Sequence, residues 1–154
     1  MTGHIERKLA ALGETLPGAP APAANYVPFV KVGDLLFVSG QISKGPDGLI
    51  IGQLGADMDM AAGQKAAKVC ALNLLAQVKA ACNGDLDRLV RVVKLGGFVN
   101  ATADFTDHPA VINGASDFIG ELLGESGQHA RAAVGSSSLP FGVAVEIEAI
   151  FQVR

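Results

Sequence analysis

HARAAVGSSSLPFGVAVEIEAIF, His129 to Phe151, is the stretch whose reading decides the fold. It sets Arg131 among Ala130, Ala132 and Ala133 on a strand-like run, then makes a serine-rich turn closed by Leu139-Pro140. A second strand follows, in which Val143, Val145, Ile147 and Ala149 alternate with Ala144, Glu146, Glu148 and Ile150, so both carboxylates share one face. The two strands read as a closing hairpin. Glu146 is expected on a solvated face. Glu148, followed by Ala149-Ile150-Phe151, is expected to be partly buried and therefore paired, with Arg131 as its partner. An arginine among alanines is either half of a structural ion pair, across a subunit boundary for instance, or a ligand-binding group, and composition leaves both readings open.

Upstream of that stretch, VKVGDLLFVSGQIS, Val30 to Ser43, divides into two apolar runs around Gly33-Asp34 and predicts a β-hairpin. KGPDG, Lys44 to Gly48, is a turn before a short strand at Leu49-Ile50-Ile51. Asp57 or Asp59 can cap a long helix with an apolar stripe of Ala67, Ala71, Leu74, Leu75, Val78 and Cys82, ended by Asn83-Gly84. Lys65, Lys68 and Lys79 lie off the stripe, and Met58 and Met60 read as gap-filling core. Leu89 to Asn100 predicts a strand in which Gly96-Gly97 marks a bulge or a close backbone approach. A polar loop, Thr102 to Pro109, leads to a second helix over 110–123. The order of elements favours α+β over a doubly wound parallel sheet.

One domain accounts for all 154 residues, 1–154. Residues 1–24 are an N-terminal extension: Ile5, Leu9 and Leu12 have helical spacing with Gly13 as a stop, and PGAPAPAA, 17–24, is an extended lead-in without a core of its own. The residues are 49% hydrophobic and 18% charged, with a net charge of −3 and no Lys/Arg cluster along any face, so a nucleic-acid partner is not expected. No apolar run is long enough to span a membrane, and the charged MTGHIERKLAALG start is not a secretory signal. Cys70 and Cys82 fall on one helix about 18 Å apart and cannot bridge each other, which suits reduced thiols in the cytoplasm.

His4, His108 and His129 have no metal-pair spacing, no glycine-rich phosphate loop is present, and Ser136, Ser137 and Ser138 read as a turn rather than a nucleophile elbow. A site would have to work with an arginine, carboxylates, backbone groups and water.

Four pieces in order resemble the reactive intermediate deaminases, the Rid or YjgF-like family. They are the hairpin with its SGQI segment, the GFVN strand end at Gly97–Asn100, the AVINGASDF helix start, which is similar to the family's VNxxYxxF run, and ARAAVGSSSLPFGVAVEIEAIF, which is similar to ARxxVxxxxLPxxxxxEIEAIA. The resemblance implies a chorismate-mutase-like α+β fold, a mixed sheet packed by two main helices, assembled as a homotrimer with sites in the clefts between subunits. It implies hydrolysis of 2-imino and enamine acids to 2-keto acids and ammonia, without a cofactor or metal. Carried over by position, Arg131 binds the substrate carboxylate and Glu148 helps hold the attacking water. Tyr26, Ser39, Gly40, Phe98 and Asn113 line the cleft, and the backbone of Ala133 stands where the family has a cysteine. NYVPFV replaces the family's GPYSQA, keeping Tyr26 but introducing Pro28 and Phe29.

The chemistry agrees. A planar guanidinium can hold a 2-imino acid by two bonds to its carboxylate, one bond from the carbon that water attacks. Imines already hydrolyse in water, so orientation and a placed water suffice. A non-catalytic small-carboxylate binding or regulatory protein on the same trimeric scaffold is the alternative. A ribonuclease would need a basic groove and acid/base histidines that the sequence does not offer.

Overall fold

A computed structural model describes residues 2–21 and 24–154. The elements run α1 (His4–Ala11), β1 (Phe29–Val32), β2 (Leu35–Ile42), β3 (Lys44–Gly45), β4 (Gly48–Leu49), α2 (Met60–Ala81), β5 (Leu89–Asn100), α3 (His108–Leu123), β6 (Ala130–Ser136) and β7 (Val145–Val153). The hairpins form where Gly33 and Gly48 supply left-handed backbone, at φ 62° and 109°. Asp59, not Asp57, caps α2: its carboxylate accepts the Ala62 N–H at 2.8 Å, while Asp57 accepts the Gln53 N–H in the preceding loop. Helix α3 starts two residues earlier than the sequence suggests, with Pro109 in the first turn, where its missing N–H costs nothing.

Five strands make one mixed sheet in the order β1-β2-β7-β5-β6, with β3–β4 a separate small hairpin. The expected closing hairpin of β6 and β7 does not form. β6 pairs only with β5, in parallel, and β7 lies between β2 and β5, antiparallel to both. Two features require this. A parallel β5–β6 pair needs a crossover, which α3 supplies. Moreover, β7 buries Val145, Ile147, Ala149, Phe151 and Val153 on one face, as befits a central strand.

Both long helices pack on that face of the sheet, so Leu36, Val38, Val92, Leu95, Ile147 and Phe151 form the core between layers. Close approach depends on glycine. A Cβ on Gly97 would lie 2.7 Å from Ile112 of α3, and one on Gly114 of α3 would lie 2.1 Å from the Gln64 carbonyl of α2. The Gly96-Gly97 pair thus marks a close approach. The register shifts of β5 against β7 lie upstream of it, between Leu89 and Arg91 and between Val92 and Lys94.

The N-terminal segment is held along α2. Ile5 and Leu9 are buried, and the Asp87 carboxylate accepts the first two N–H groups of α1, from His4 at 2.7 Å and Ile5 at 2.9 Å. Glu6 pairs with Lys79, Glu14 with Lys68, and the Gln77 amide donates to the Pro20 carbonyl at 2.7 Å. This cover explains why α2 is buried beyond its apolar stripe: Leu72, Asn73, Ala76 and Gln77 are buried as well.

Candidate functional site

Arg131 lies on β6, the sheet's edge strand, beside Leu95 of β5 and on the face that the helices cover. Its Nη1 donates to Asn113 Oδ1 at 2.8 Å and to Ser116 Oγ at 3.1 Å. Asn113 and Ser116 are three residues apart on α3 and so share a helix face. Both Nη1 hydrogens are thereby used. Nε and Nη2, the edge that can grip a carboxylate by two parallel bonds, make no hydrogen bond among the described residues.

Arg131 is half-buried, yet the only ion pairs among the described residues are Glu14–Lys68 and Glu6–Lys79. A cavity of about 330 Å³ opens beside it, lined also by Gly120, Gly127 and His129. A sheltered guanidinium without an acid partner, next to open space, is chemically an anion receptor.

The second cluster occupies the uncovered face of the sheet. β2 shifts register against β7 between Val38 and Gln41, which places Gly40 against Glu146. A Cβ on Gly40 would fall 2.5 Å from Glu146 Oε2, so only glycine lets that carboxylate lie over the strand. Ser39 ties the preceding segment down, its hydroxyl donating to the Val27 carbonyl at 2.8 Å and its N–H to Pro28 at 2.9 Å. Tyr26, just upstream, is 49% exposed. Phe98 pairs in register with Glu146 and is half-buried. Burial pushes the Glu146 carboxyl above its ordinary value, and repulsion from Glu148 adds to the shift.

Two sequence expectations are therefore corrected. Glu146 is the sheltered carboxylate and Glu148 the exposed one, because Gly40 and Phe98 flank Glu146, whereas Glu148 lies over Gly96, which has no side chain to cover it. Nor are Arg131 and Glu148 partners within a chain. The lateral row Arg131–Leu95–Ala149 faces the helices, whereas the adjacent row Ala132–Gly96–Glu148 faces away. Arg131, Asn113 and Ala133 thus gather on the helix side. Tyr26, Ser39, Gly40, Phe98, Glu146 and Glu148 belong to the other group.

Sequence reasoning passed over Ser116 and His129. The His-x-Arg spacing on β6 and the Asn-x-x-Ser spacing on α3 were the signals available for them. No group of three or more His, Cys, Asp or Glu residues is placed to hold a metal among the described residues.

Residues 6–149 match the family described as "YjgF/chorismate mutase-like, putative endoribonuclease". The chain belongs to this family. Among the family's relatives, Protein TCP17 of Trypanosoma cruzi is 49% identical over 99% of this chain and 96% of its own length. The crystal structure of Atu1372 from Agrobacterium tumefaciens is 52% identical, with a TM-score of 0.90 over 97% of this chain and 94% of that one. E. coli TdcF with bound serine is 29% identical, with a TM-score of 0.61 over 88% and 93%. The family fold is the α+β arrangement described above, a mixed sheet with its helices on one face. The long alignment with Atu1372 takes in most of the N-terminal segment as well. No described helix is long and apolar enough to cross a membrane.

Proposed function

We propose that this YjgF-family protein hydrolyses 2-imino acids and their enamine tautomers to 2-keto acids and ammonia, at clefts between the copies of a homotrimer. The observation that carries the reading is Arg131: half-buried, without a carboxylate partner among the described residues, bonded at Nη1 alone, and lining a cavity. Such a group suits a small carboxylate. The bound serine of TdcF, a small amino acid with that same group, is in keeping with it.

The reaction asks little more. Water adds to C2 of the protonated imine, the carbinolamine passes a proton to nitrogen, the C–N bond breaks, and keto acid and ammonium leave. A carboxyl group that takes the proton from water and returns it to nitrogen works best with a raised pKa, as Glu146 has, and Glu148, next to it on the same face, would help hold the water. Tyr26, Ser39, Gly40 and Phe98 would line the cleft on the carboxylate side, and Asn113 and the backbone of Ala133 on the side of the clamp.

Within one chain the guanidinium and the carboxylates face opposite ways, so a complete site needs a second copy. The uncovered sheet face supports an assembly: Val30, Phe37 and Val134 are 50%, 42% and 46% exposed there. Exposed apolar side chains toward both edges of that face suit an interface.

The test follows imine decay after an amino-acid oxidase or threonine dehydratase releases it. Wild type should accelerate the decay, and Arg131→Ala should not. A wild type indistinguishable from buffer, with 2-keto acids still binding at Arg131, would favour the non-catalytic carboxylate-binding reading. Sedimentation showing a monomer would sink the intersubunit site.

A further inference from the structure

We propose that Ser116 and His129 are positioning residues for Arg131, forming a fixed relay that sets which edge of the guanidinium meets the ligand. The proposal rests on the reading of Arg131 as a carboxylate clamp. Three segments build the relay. The chain leaves α3 through Gly124, at φ 62°, makes a 3-10 turn over Gly124–Gly127, and enters β6 at Ala130. Gly127 is pressed against α3, where a Cβ would lie 2.6 Å from the Ile119 carbonyl. Its own carbonyl is thereby held in place and meets His129 Nδ1 at 2.6 Å.

A carbonyl only accepts, so Nδ1 carries the hydrogen of that bond. In the neutral ring Nε2 is then an acceptor, and the group 2.9 Å from it is the Ser116 hydroxyl. Ser116 gives its hydrogen to His129, and an oxygen lone pair is left to face Arg131 Nη1 at 3.1 Å. Asn113 Oδ1 takes the other Nη1 hydrogen at 2.8 Å. Each donor in the series has one acceptor, running from Arg131 to Ser116 to His129 to the Gly127 backbone. The guanidinium only donates, and the His129–Gly127 bond sets the direction of the Ser116–His129 bond, leaving the serine oxygen free to accept from Arg131. Ser116 and His129 also line the cavity at Arg131, so loosening the relay releases the clamp where the ligand would enter.

The experiment is calorimetric titration of the full-length protein with 2-oxobutyrate, alongside imine hydrolysis and 15N NMR of the imidazole and guanidinium groups. Ser116→Ala and His129→Ala should each weaken 2-oxobutyrate binding about tenfold, the scale of one hydrogen bond to a charged group, and raise KM similarly with kcat nearly unchanged. Ser116→Thr, which keeps the hydroxyl, should restore binding to near wild type. In the free protein His129 should show the Nδ1–H tautomer, and the Arg131 Nη1 signal should sharpen into its averaged form in Ser116→Ala.

If Arg131→Ala abolishes binding while Ser116→Ala and His129→Ala bind like wild type, the relay has no positioning role and this inference falls alone. If wild type binds no keto acid, the clamp reading fails instead. The relay then stands or falls on the tautomer and on the Nη1 signal, and a protonated Nε2 would overturn it.

Discussion

Adding one methyl group to α3 should have opposite effects at two glycines six residues apart. At Gly114 a Cβ would lie 2.1 Å from the Gln64 carbonyl oxygen, 2.6 Å from its carbon and 2.7 Å from its Cα, all backbone atoms of α2. No rotamer change relieves a backbone contact, so the helices would have to part by on the order of 1 Å, and the overpacking cost falls at the upper end of its usual range, about 3 kcal/mol. Alanine returns about 1 kcal/mol through helix propensity, which leaves Gly114→Ala destabilised by about 2 kcal/mol. For a chain of this length that lowers Tm by about 6 °C.

At Gly120 a Cβ would meet nothing within 4 Å. There only the propensity gain of about 1 kcal/mol survives, so Gly120→Ala should raise Tm by about 3 °C. Denaturant unfolding of both variants at one protein concentration measures the difference, since assembly would otherwise shift it. Because Gly114 adjoins Asn113, its variant should also bind 2-keto acids more weakly. Two variants shifted in the same direction would refute the claim that helix contact, rather than local propensity, dictates glycine at 114.

Glu146→Gln should stabilise the protein at neutral pH. Burial, then Glu148, raises the Glu146 carboxyl, so its contribution to stability is present below the ordinary carboxylate range and lost as pH rises through the raised value. Tm measured against pH should show the variant's advantage fading in acid, and parallel curves would count against a sheltered Glu146. The same variant should lose imine hydrolysis. Asp87 behaves in the opposite sense. Bonds from the Ile5 and His4 N–H groups hold its carboxyl below the usual range, so its contribution is present at neutral pH and lost as pH falls through the lowered value. Asp87→Ala should cost about 1 kcal/mol at neutral pH, as loss of a helix cap does. Hydrogen exchange should speed up over His4–Ala11 and not over α3; unchanged exchange in α1 would show that the cap does not hold it.

Much of the local structure was legible because its causes are local. Asn83, at φ 55°, and Gly84, at φ 90°, end α2 as their residue types suggest, and the six-residue apolar stripe of that helix is buried throughout. The alternation in β7 marked it correctly as a strand with one buried face. Alternation does not say which strand lies alongside, however. β7 follows β6 in the chain, but its apolar face needs α2 above it and its two edges need β2 and β5, and no feature of residues 129–151 encodes those neighbours.

The candidate site divides along the same line. Arg131 stood out in sequence because a charge among alanines calls for a partner. That this partner is not Glu148 of the same chain follows from the sheet, where a one-residue offset in register turns a side chain to the opposite face. The exchange of roles between Glu146 and Glu148 has a similar origin: the Gly40 backbone shelters one of them, and Gly40 reaches Glu146 only because β2 slips its register against β7. Sequence by itself determined which runs are the main helices and strands, where α2 ends, and the family, since these depend on residues near one another in the chain and on motifs in order. Tertiary structure alone decided which side of the sheet each polar group faces and which charges are left unpaired, because burial and pairing depend on atoms brought together from distant parts of the chain.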